Sequence, residues 1–485
     1  MFSNIKAYFK DLNYKNLTYI CIVVVNLLLS MFFSQMNNAS DGSFGKGMDY
    51  AQTFSYFIIL LLLFGYSFYL GFINNIIKYD KKFQYAMAIG IFFVVYSLVI
   101  VCTINYNALC WTNLNGDIAP RVGPNTLDKI KSVMDTCLMV LLGISVFFIF
   151  PAFKEKRLFL SVFSTLLIGC AVVCIIYSLC TEMDTYIHFC KNFTLFSKDF
   201  DYLIYSFFKY ANVYGHVLYL ASINILFLAM FLKKRWIYLF NIIFAVFIVF
   251  SQSRTAFLGI VLMTFLYCLY LIYDEYFRNK KIFYFWIGFL ALFLLLFILE
   301  LFVFKVIKIK DDNKLLTLAD IIAIYTKRII ERFDIIELSF TKFLPTHYIF
   351  GVGVNLNDIV MRTGFNAGFE GVFNMHNGFF EALTCLGVPL ILVYLLSYYI
   401  VTKESIQLFR KNHGYLFYIV IMFISYWFYM VSEAFPLFYN VFGGAVITLL
   451  LFTLPHNYYL EENGIISEVT TFYDYRKFNS VNLTK

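Results

Sequence analysis

Three short polar clusters stand apart in an otherwise apolar sequence, and each has residue types suited to a particular chemistry. The first is Ser251-Gln252-Ser253-Arg254, followed by Thr255. A guanidinium is a planar fork of donors that grips an anion through two parallel bonds. With hydroxyls from Ser251, Ser253 and Thr255 beside it, Arg254 reads as part of a phosphate site. Taken alone, the arginine fits equally as one at a membrane helix end whose head snorkels to the interface; the three hydroxyls favour the anion site. The second cluster is Gly351-Val352-Gly353-Val354-Asn355. Glycines let a backbone approach a ligand or another chain segment closely. No strand precedes this run and no Lys-Ser/Thr pair follows, so it lacks the setting of a nucleotide phosphate loop, and a structural turn is the preferred reading. The third cluster is His376-Asn377-Gly378, with Glu381 and Leu386-Gly387-Val388-Pro389 behind it. An imidazole accepts a proton near neutral pH and suits a general base, although a lone histidine is more often structural.

The elements that must position these clusters are membrane helices. Apolar and aromatic residues make up 61% of the 485 residues and charged residues only 14%, against roughly 25% charged in an ordinary soluble domain, so a soluble fold is excluded. The apolar residues come in blocks of about 17 to 25, long enough to cross the hydrocarbon layer as helices. No segments of about 10 alternating residues suggest a β-barrel. The pattern predicts an all-α, polytopic integral membrane protein of about 12 transmembrane helices. They fall at roughly 17–34, 54–74, 83–104, 134–150, 158–180, 212–232, 236–250, 255–273, 282–304, 377–401, 415–431 and 435–454. The first apolar block lacks an A-x-A-like cleavage site and reads as a retained helix.

Basic residues set the orientation. Lys6, Lys10 and Lys15; Lys78, Lys81 and Lys82; Lys154, Lys156 and Arg157; Lys233, Lys234 and Arg235; Arg278, Lys280 and Lys281; and Lys403, Arg410 and Lys411 lie in alternate connecting segments. The positive-inside rule then places both termini in the cytoplasm. The net charge of +8 is accounted for by these topology signals and implies no nucleic-acid partner. The predicted organisation is 1–304 for the first nine helices, 305–375 for a large outer loop between helices nine and ten, 376–454 for the last three helices and 455–485 for a cytoplasmic tail. In the large loop Leu315, Leu318, Ile322, Ile329, Phe333 and Ile336 recur at helical spacing, which predicts amphipathic helix. Tight hairpins are expected at Ser251–Arg254 and Ser432–Glu433. Cys180 and Cys190 flank one loop, as a disulfide or as two unpaired thiols. The cysteines follow no metal-ligand spacing, and Asp311-Asp312 reads as a solvated pair, so no metal is expected.

Together the clusters resemble the O-antigen polymerase/O-antigen ligase superfamily, which includes Wzy-type polymerases and bacterial O-oligosaccharyltransferases. The resemblance rests on the hairpin of Ser251, Ser253 and Arg254, a large outer loop holding Arg332, the Gly351-Val352-Gly353 turn, and His376-Asn377 with Glu381 and Gly387 behind it. It covers roughly residues 236–400, about a third of the chain. Ala211-Asn212-Val213-Tyr214-Gly215 resembles the Asn-containing start of an earlier family helix. One departure is that Ile335 and Ile336 stand where an aromatic residue often follows the loop arginine, so Arg328, one helical turn away, competes with Arg332 for that role.

The resemblance implies a glycosyltransferase of the bacterial inner (plasma) membrane. Such an enzyme polymerises repeat units of O-antigen or capsule, carried on undecaprenyl or a similar polyprenyl diphosphate, at the outer face. It implies that Arg254 and Arg332 stabilise charge on the departing diphosphate and that His376 takes the acceptor's proton. It further implies substrate contacts from Ser251, Ser253, Arg328, Gly351, Gly353, Asn377 and Glu381, with inversion at the anomeric carbon and no metal or cofactor. The implied partners are the lipid-linked glycan donor and acceptor, the bilayer, a chain-length regulator and a flippase. A ligase acting on lipid A core or a protein, as in lipopolysaccharide biosynthesis, would share all three clusters. A transporter would need polar residues along a mid-membrane path, often on broken helices, whereas these clusters gather at one face.

Overall fold

The structure, a computed structural model, describes residues 81–106, 124–147 (145 aside), 156–192, 211–231, 235–302, 347–356 (348 and 355 aside), 377–411 and 424–430 (429 aside), with short pieces and single positions elsewhere. The predicted helices at 17–34, 54–74 and 435–454, most of that at 415–431, the Ser432–Glu433 hairpin, and Arg328, Arg332 and His376 lie outside the described residues. In chain order the helices are α1 Lys81–Thr103, α2 Thr126–Ile144, α3 Lys156–Thr181, α4 Met183–Asn192, α5 Ala211–Phe231, α6 Phe240–Ser251, α7 Arg254–Arg278, α8 Lys280–Phe302 and α9 Gly378–Lys411. A 3-10 turn at Arg235–Leu239 leads into α6. Among the described residues four windows, Gln84–Thr103, Ser164–Thr181, Thr255–Tyr276 and Gly378–Leu408, are long and apolar enough to cross a membrane, and Trp236–Ser251 is a shorter apolar helix.

The chain folds as two compact units, Met1–Ser161 with Arg332–Leu408 and Met430–Lys485, and Val162–Glu331 with Phe409–Tyr429. In the first unit α1 packs on α2. Gly90 makes the approach close enough that a Cβ there would meet Val140 Cγ1, the small-residue contact by which membrane helices pack. Thr136 Oγ1 donates to Ser97 Oγ across this buried seam at 2.9 Å. Ile91, Phe92, Val95, Leu98 and Val99 stay exposed on the far face of α1, the face such a helix offers to lipid. Helix α2 begins at Thr126, eight residues before its predicted start. Asn125 and Asp128 cap it reciprocally: each backbone N–H donates to the other's side-chain oxygen at 2.9 Å. A pattern keyed to apolar blocks passes over a polar first turn that its own capping box sustains.

The second unit is built around α5. Every residue from Tyr214 to Leu226 is buried, as expected of a helix that is apolar all round. Gly259 of α7 lets Tyr219 lie against it, and the Tyr219 hydroxyl donates to Ser425 O at 3.0 Å. Helix α4 occupies what the sequence predicts to be a loop. It places Tyr186 where its hydroxyl meets Ser178 Oγ at 2.8 Å, and Ser178 Oγ also meets the Tyr214 hydroxyl at 3.2 Å. Phe189 and Tyr186 stack edge-on against Phe250 near the end of α6, at 5.0 and 4.9 Å. Trp236, Tyr276, Tyr284 and Phe285 are exposed where α6 begins, α7 ends and α8 begins. That aromatic band, beside Arg235, Lys280 and Lys281, has the character of a membrane–water interface. The Ser251–Arg254 turn is at the opposite end of the α6–α7 pair.

Two predictions are corrected. Leu315, placed in an amphipathic helix by its spacing, instead lies in a two-residue strand, β2 Leu315–Leu316, paired antiparallel with β1 Ile307–Lys308. Two residues paired across strands follow no helical period. Helix α9 runs on to Lys411, ten residues past its predicted end, because Val401, Glu404, Ser405 and Leu408 continue a buried stripe at helical spacing. Cys180 and Cys190 are free, exposed thiols.

Candidate functional site

The turn between α6 and α7 is made by residues with unlike hydrogen-bonding fates. Ser251 closes α6 and turns its hydroxyl back to donate to Ile248 O at 2.8 Å. Gln252 takes the left-handed conformation, φ 52 and ψ 20, and its N–H donates to Val249 O, which ends the helix. Ser253 stands at the N-cap of α7 with φ −72 and ψ 103, but its side chain makes no capping bond. Its N–H donates to Ser251 Oγ at 3.3 Å. Arg254 is the first residue of α7. Ser251, Gln252, Ser253 and Thr255 are all buried. The first turns of α5 reach this corner through Gly215, where a Cβ would overlap Ser253 and crowd the Ser251 hydroxyl. Gly215 of the Ala211–Gly215 run is thus the platform on which the serine–serine turn rests.

The Gly351–Gly353 run does something else. Helix α9 is broken at Gly387, φ 69 and ψ −159, with Pro389 two residues on. Proline has no N–H, so Cys385 O loses its helical donor, and the break turns Val388 N–H away from Thr384 O. The segment 347–354 replaces both. Val352 N–H donates to Thr384 O at 2.8 Å, Gly353 N–H to Cys385 O at 2.8 Å, and Val388 N–H to Ile349 O at 3.0 Å. Two helical bonds are exchanged for three between loop and helix, which lets an irregular segment sit against a membrane helix without orphaned backbone groups. Gly351, φ 78, and Gly353, φ 107, occupy conformations that L side chains avoid, and a Cβ on Gly351 would strike the Cys385 carbonyl. Two α1-side tyrosines pin the clip: Tyr106 Oη donates to Val352 O at 2.7 Å and Tyr96 Oη to Phe350 O at 2.9 Å. Burial pushes the Tyr106 phenol far above its ordinary range and the His347 imidazole below its own. The N–H groups of Gly351, Val352 and Gly353 are all spent on protein carbonyls, so the turn reading accounts for this cluster.

Asn377 caps α9, its Oδ1 accepting from Phe379 N–H at 3.0 Å and Phe380 N–H at 3.2 Å. His376 immediately precedes this cap in sequence. Glu381 is buried one turn into the helix, and its N–H donates to Asn377 O at 2.8 Å. The fold therefore gathers Ser251, Ser253 and Gly215 in the second unit. In the first it gathers Gly351, Gly353, Asn377 and Glu381 along the first half of α9.

Residues 239–395 match the family model described as O-antigen ligase. They form a domain of the O-antigen polymerase/ligase superfamily. This domain runs from the start of α6 to the middle of α9 and so contains all three polar clusters. No curated relative and no solved structure matches the chain. Among the described residues four windows are long and apolar enough to cross a membrane, and the family this domain matches is one of glycan-transferring membrane enzymes.

Two observations go beyond the sequence reading. The ligase domain has a polar seam away from the turn: Asn241, near the start of α6, donates from Nδ2 to Ser222 O of α5 at 3.2 Å, and, N-terminal to the domain, Asn224 in the middle of α5 donates from Nδ2 to Leu220 O. It also contains a broken helix, yet the break's Thr384 and Cys385 carbonyls are engaged by the clip rather than lining a path. Gln252 is the residue the sequence reading passed over. Its neighbours carried the motif, and only backbone geometry and burial distinguish it.

Proposed function

We propose that this protein joins polyprenyl-diphosphate-linked glycan repeat units at the outer face of the bacterial plasma membrane, by metal-independent, inverting transfer. The observation that carries the reading is the O-antigen ligase match over 239–395, whose limits enclose the serine–serine–arginine turn, His376 and the Asn377 cap of α9. As the anomeric carbon–oxygen bond breaks, charge builds on the lipid diphosphate. A fixed guanidinium from Arg254, aided by Arg332 or Arg328, stabilises that charge in a site shielded from water. His376 accepts the proton of the attacking hydroxyl, and Glu381, one turn below, orients its ring. Both termini lie in the cytoplasm, about 12 helices cross the bilayer, and 305–375 faces outward.

The matched family's description as O-antigen ligase supports a second reading: transfer of a finished glycan to lipid A core or protein. The length ladder of surface polysaccharide in a deletion strain separates the two. Single-repeat products indicate polymerisation; long, unattached, lipid-linked glycan indicates ligation. An unchanged ladder and unchanged attachment in the deletion strain would sink both.

A further inference from the structure

Gln252 is an uneconomical residue for the turn it makes. Its backbone lies in the left-handed region, φ 52, where glycine is at ease and the Cβ of an L residue is crowded. Its side chain is only 5% exposed, and neither Nε2 nor Oε1 has a hydrogen-bond partner among the described residues. The next residue repeats the anomaly. Ser253 Oγ, in a residue 1% exposed, is also unpartnered, although it sits at an N-cap, where a serine normally turns its hydroxyl onto the helix. Ser251, two positions earlier, is fully used. A glycine at 252 would relieve the backbone and remove the unsatisfied amide together. Buried polar groups without partners are rare and call for an explanation, and strained backbone gathers where ligands bind.

The vacant groups specify the ligand's chemistry. A carboxamide offers donors on nitrogen and an acceptor on oxygen, and a serine hydroxyl offers one of each. A phosphate oxygen only accepts. It would pair with Nε2 and Ser253 but leave Oε1 against negative charge. Neighbouring sugar hydroxyls each donate and accept, so two of them satisfy both ends of the carboxamide. We propose that Gln252, with Ser253, binds hydroxyls of the sugar attached to the lipid diphosphate and is a specificity-determining residue of the transfer site. The inference rests on the glycan-transfer reading and adds to it the group that tests the sugar. Because the amide is desolvated beforehand, a donor lacking the matching hydroxyl leaves it unpaired and is rejected more strongly than at an exposed site.

Binding by the full-length protein in nanodiscs tests this. Two probes are used: the source cell's lipid-linked oligosaccharide, and synthetic polyprenyl diphosphate that carries no sugar. The parent should prefer the sugar-bearing lipid. Gln252→Leu should lose about tenfold in affinity for it, as expected for two lost hydrogen bonds, while binding the sugar-free lipid unchanged. Its Tm should be equal to or above the parent's, since an unpaired buried amide is gone. Gln252→Gly, which also relieves the left-handed strain, should behave alike and serves where Leu hampers folding. No sugar preference in the parent, or an undiminished preference in the folded variants, overturns the proposal. Sugar-dependent binding in a parent that transfers no glycan would instead sink the glycan-transfer reading and leave Gln252 as a sugar-binding residue.

Discussion

The α6–α7 turn and the break in α9 are both interruptions of membrane helices, and they treat their polar groups in opposite ways. At the α9 break, the freed Thr384 and Cys385 carbonyls and the Val388 N–H find partners in the 347–354 clip. At the α6–α7 turn, Gln252 Nε2, Gln252 Oε1 and Ser253 Oγ are buried without partners among the described residues. In a medium where an unsatisfied group is expensive, the first arrangement is what stability selects. The second leaves donors and an acceptor for a ligand to meet, as proposed above for the sugar. A glycine-rich run is thus structural here, and a serine-rich turn is where ligand chemistry is to be sought.

Substitutions should separate the two regions by readout. The largest effects are expected on rate. His376→Ala should lower transfer by roughly 10²–10⁴-fold, the usual contribution of a general base, while binding of the lipid-linked donor stays close to the parent's. Single-turnover transfer and equilibrium binding on purified protein measure both, and a folded His376→Ala protein within about threefold of the parent rate would remove it from the mechanism. Arg254→Lys should be nearly as damaging as Arg254→Ala, each costing about 10²-fold or more in transfer, because Lys keeps the charge but loses the planar fork. Polysaccharide length in complemented cells at matched expression reads this out; full activity of Arg254→Lys would reduce the residue to an interfacial anchor.

At the clip, stability should fall instead. Gly387→Ala puts a Cβ into the Ile349 carbonyl at φ 69, and left-handed strain plus overpacking should cost about 2–5 kcal/mol. The measurement is the yield and Tm of detergent-solubilised protein; a Gly387→Ala protein as stable as the parent would show that the break does not need the clip. Tyr106→Phe should have the smallest effect. It removes the bond to Val352 O and should cost about 1–2 kcal/mol, lowering Tm by a few degrees while donor binding at the α6–α7 turn is unaffected. Loss of donor affinity in Tyr106→Phe without loss of Tm would undo the contrast between the two regions.

What the sequence determined by itself was whatever depends on local composition and order. The membrane class, the helices α1, α3, α5, α6, α7 and α8, the Ser251–Arg254 turn and the superfamily were legible because apolar blocks, basic segments and short motifs are written in consecutive residues. The capped start of α2, helix α4 and the end of α9 were not, since polar first turns, amphipathic surface helices and buried stripes carry little net hydropathy. Nor does Leu315 announce a strand, because two residues paired across a turn leave no period to read. Only the tertiary structure decided that Gly351 and Gly353 clip a broken helix, that Gly215 makes room for Ser253, and that Gln252 is left with an unpaired amide. Each of these is a relation between atoms distant in sequence or a balance of hydrogen bonds, and a bond left unmade leaves no mark on the order of residues.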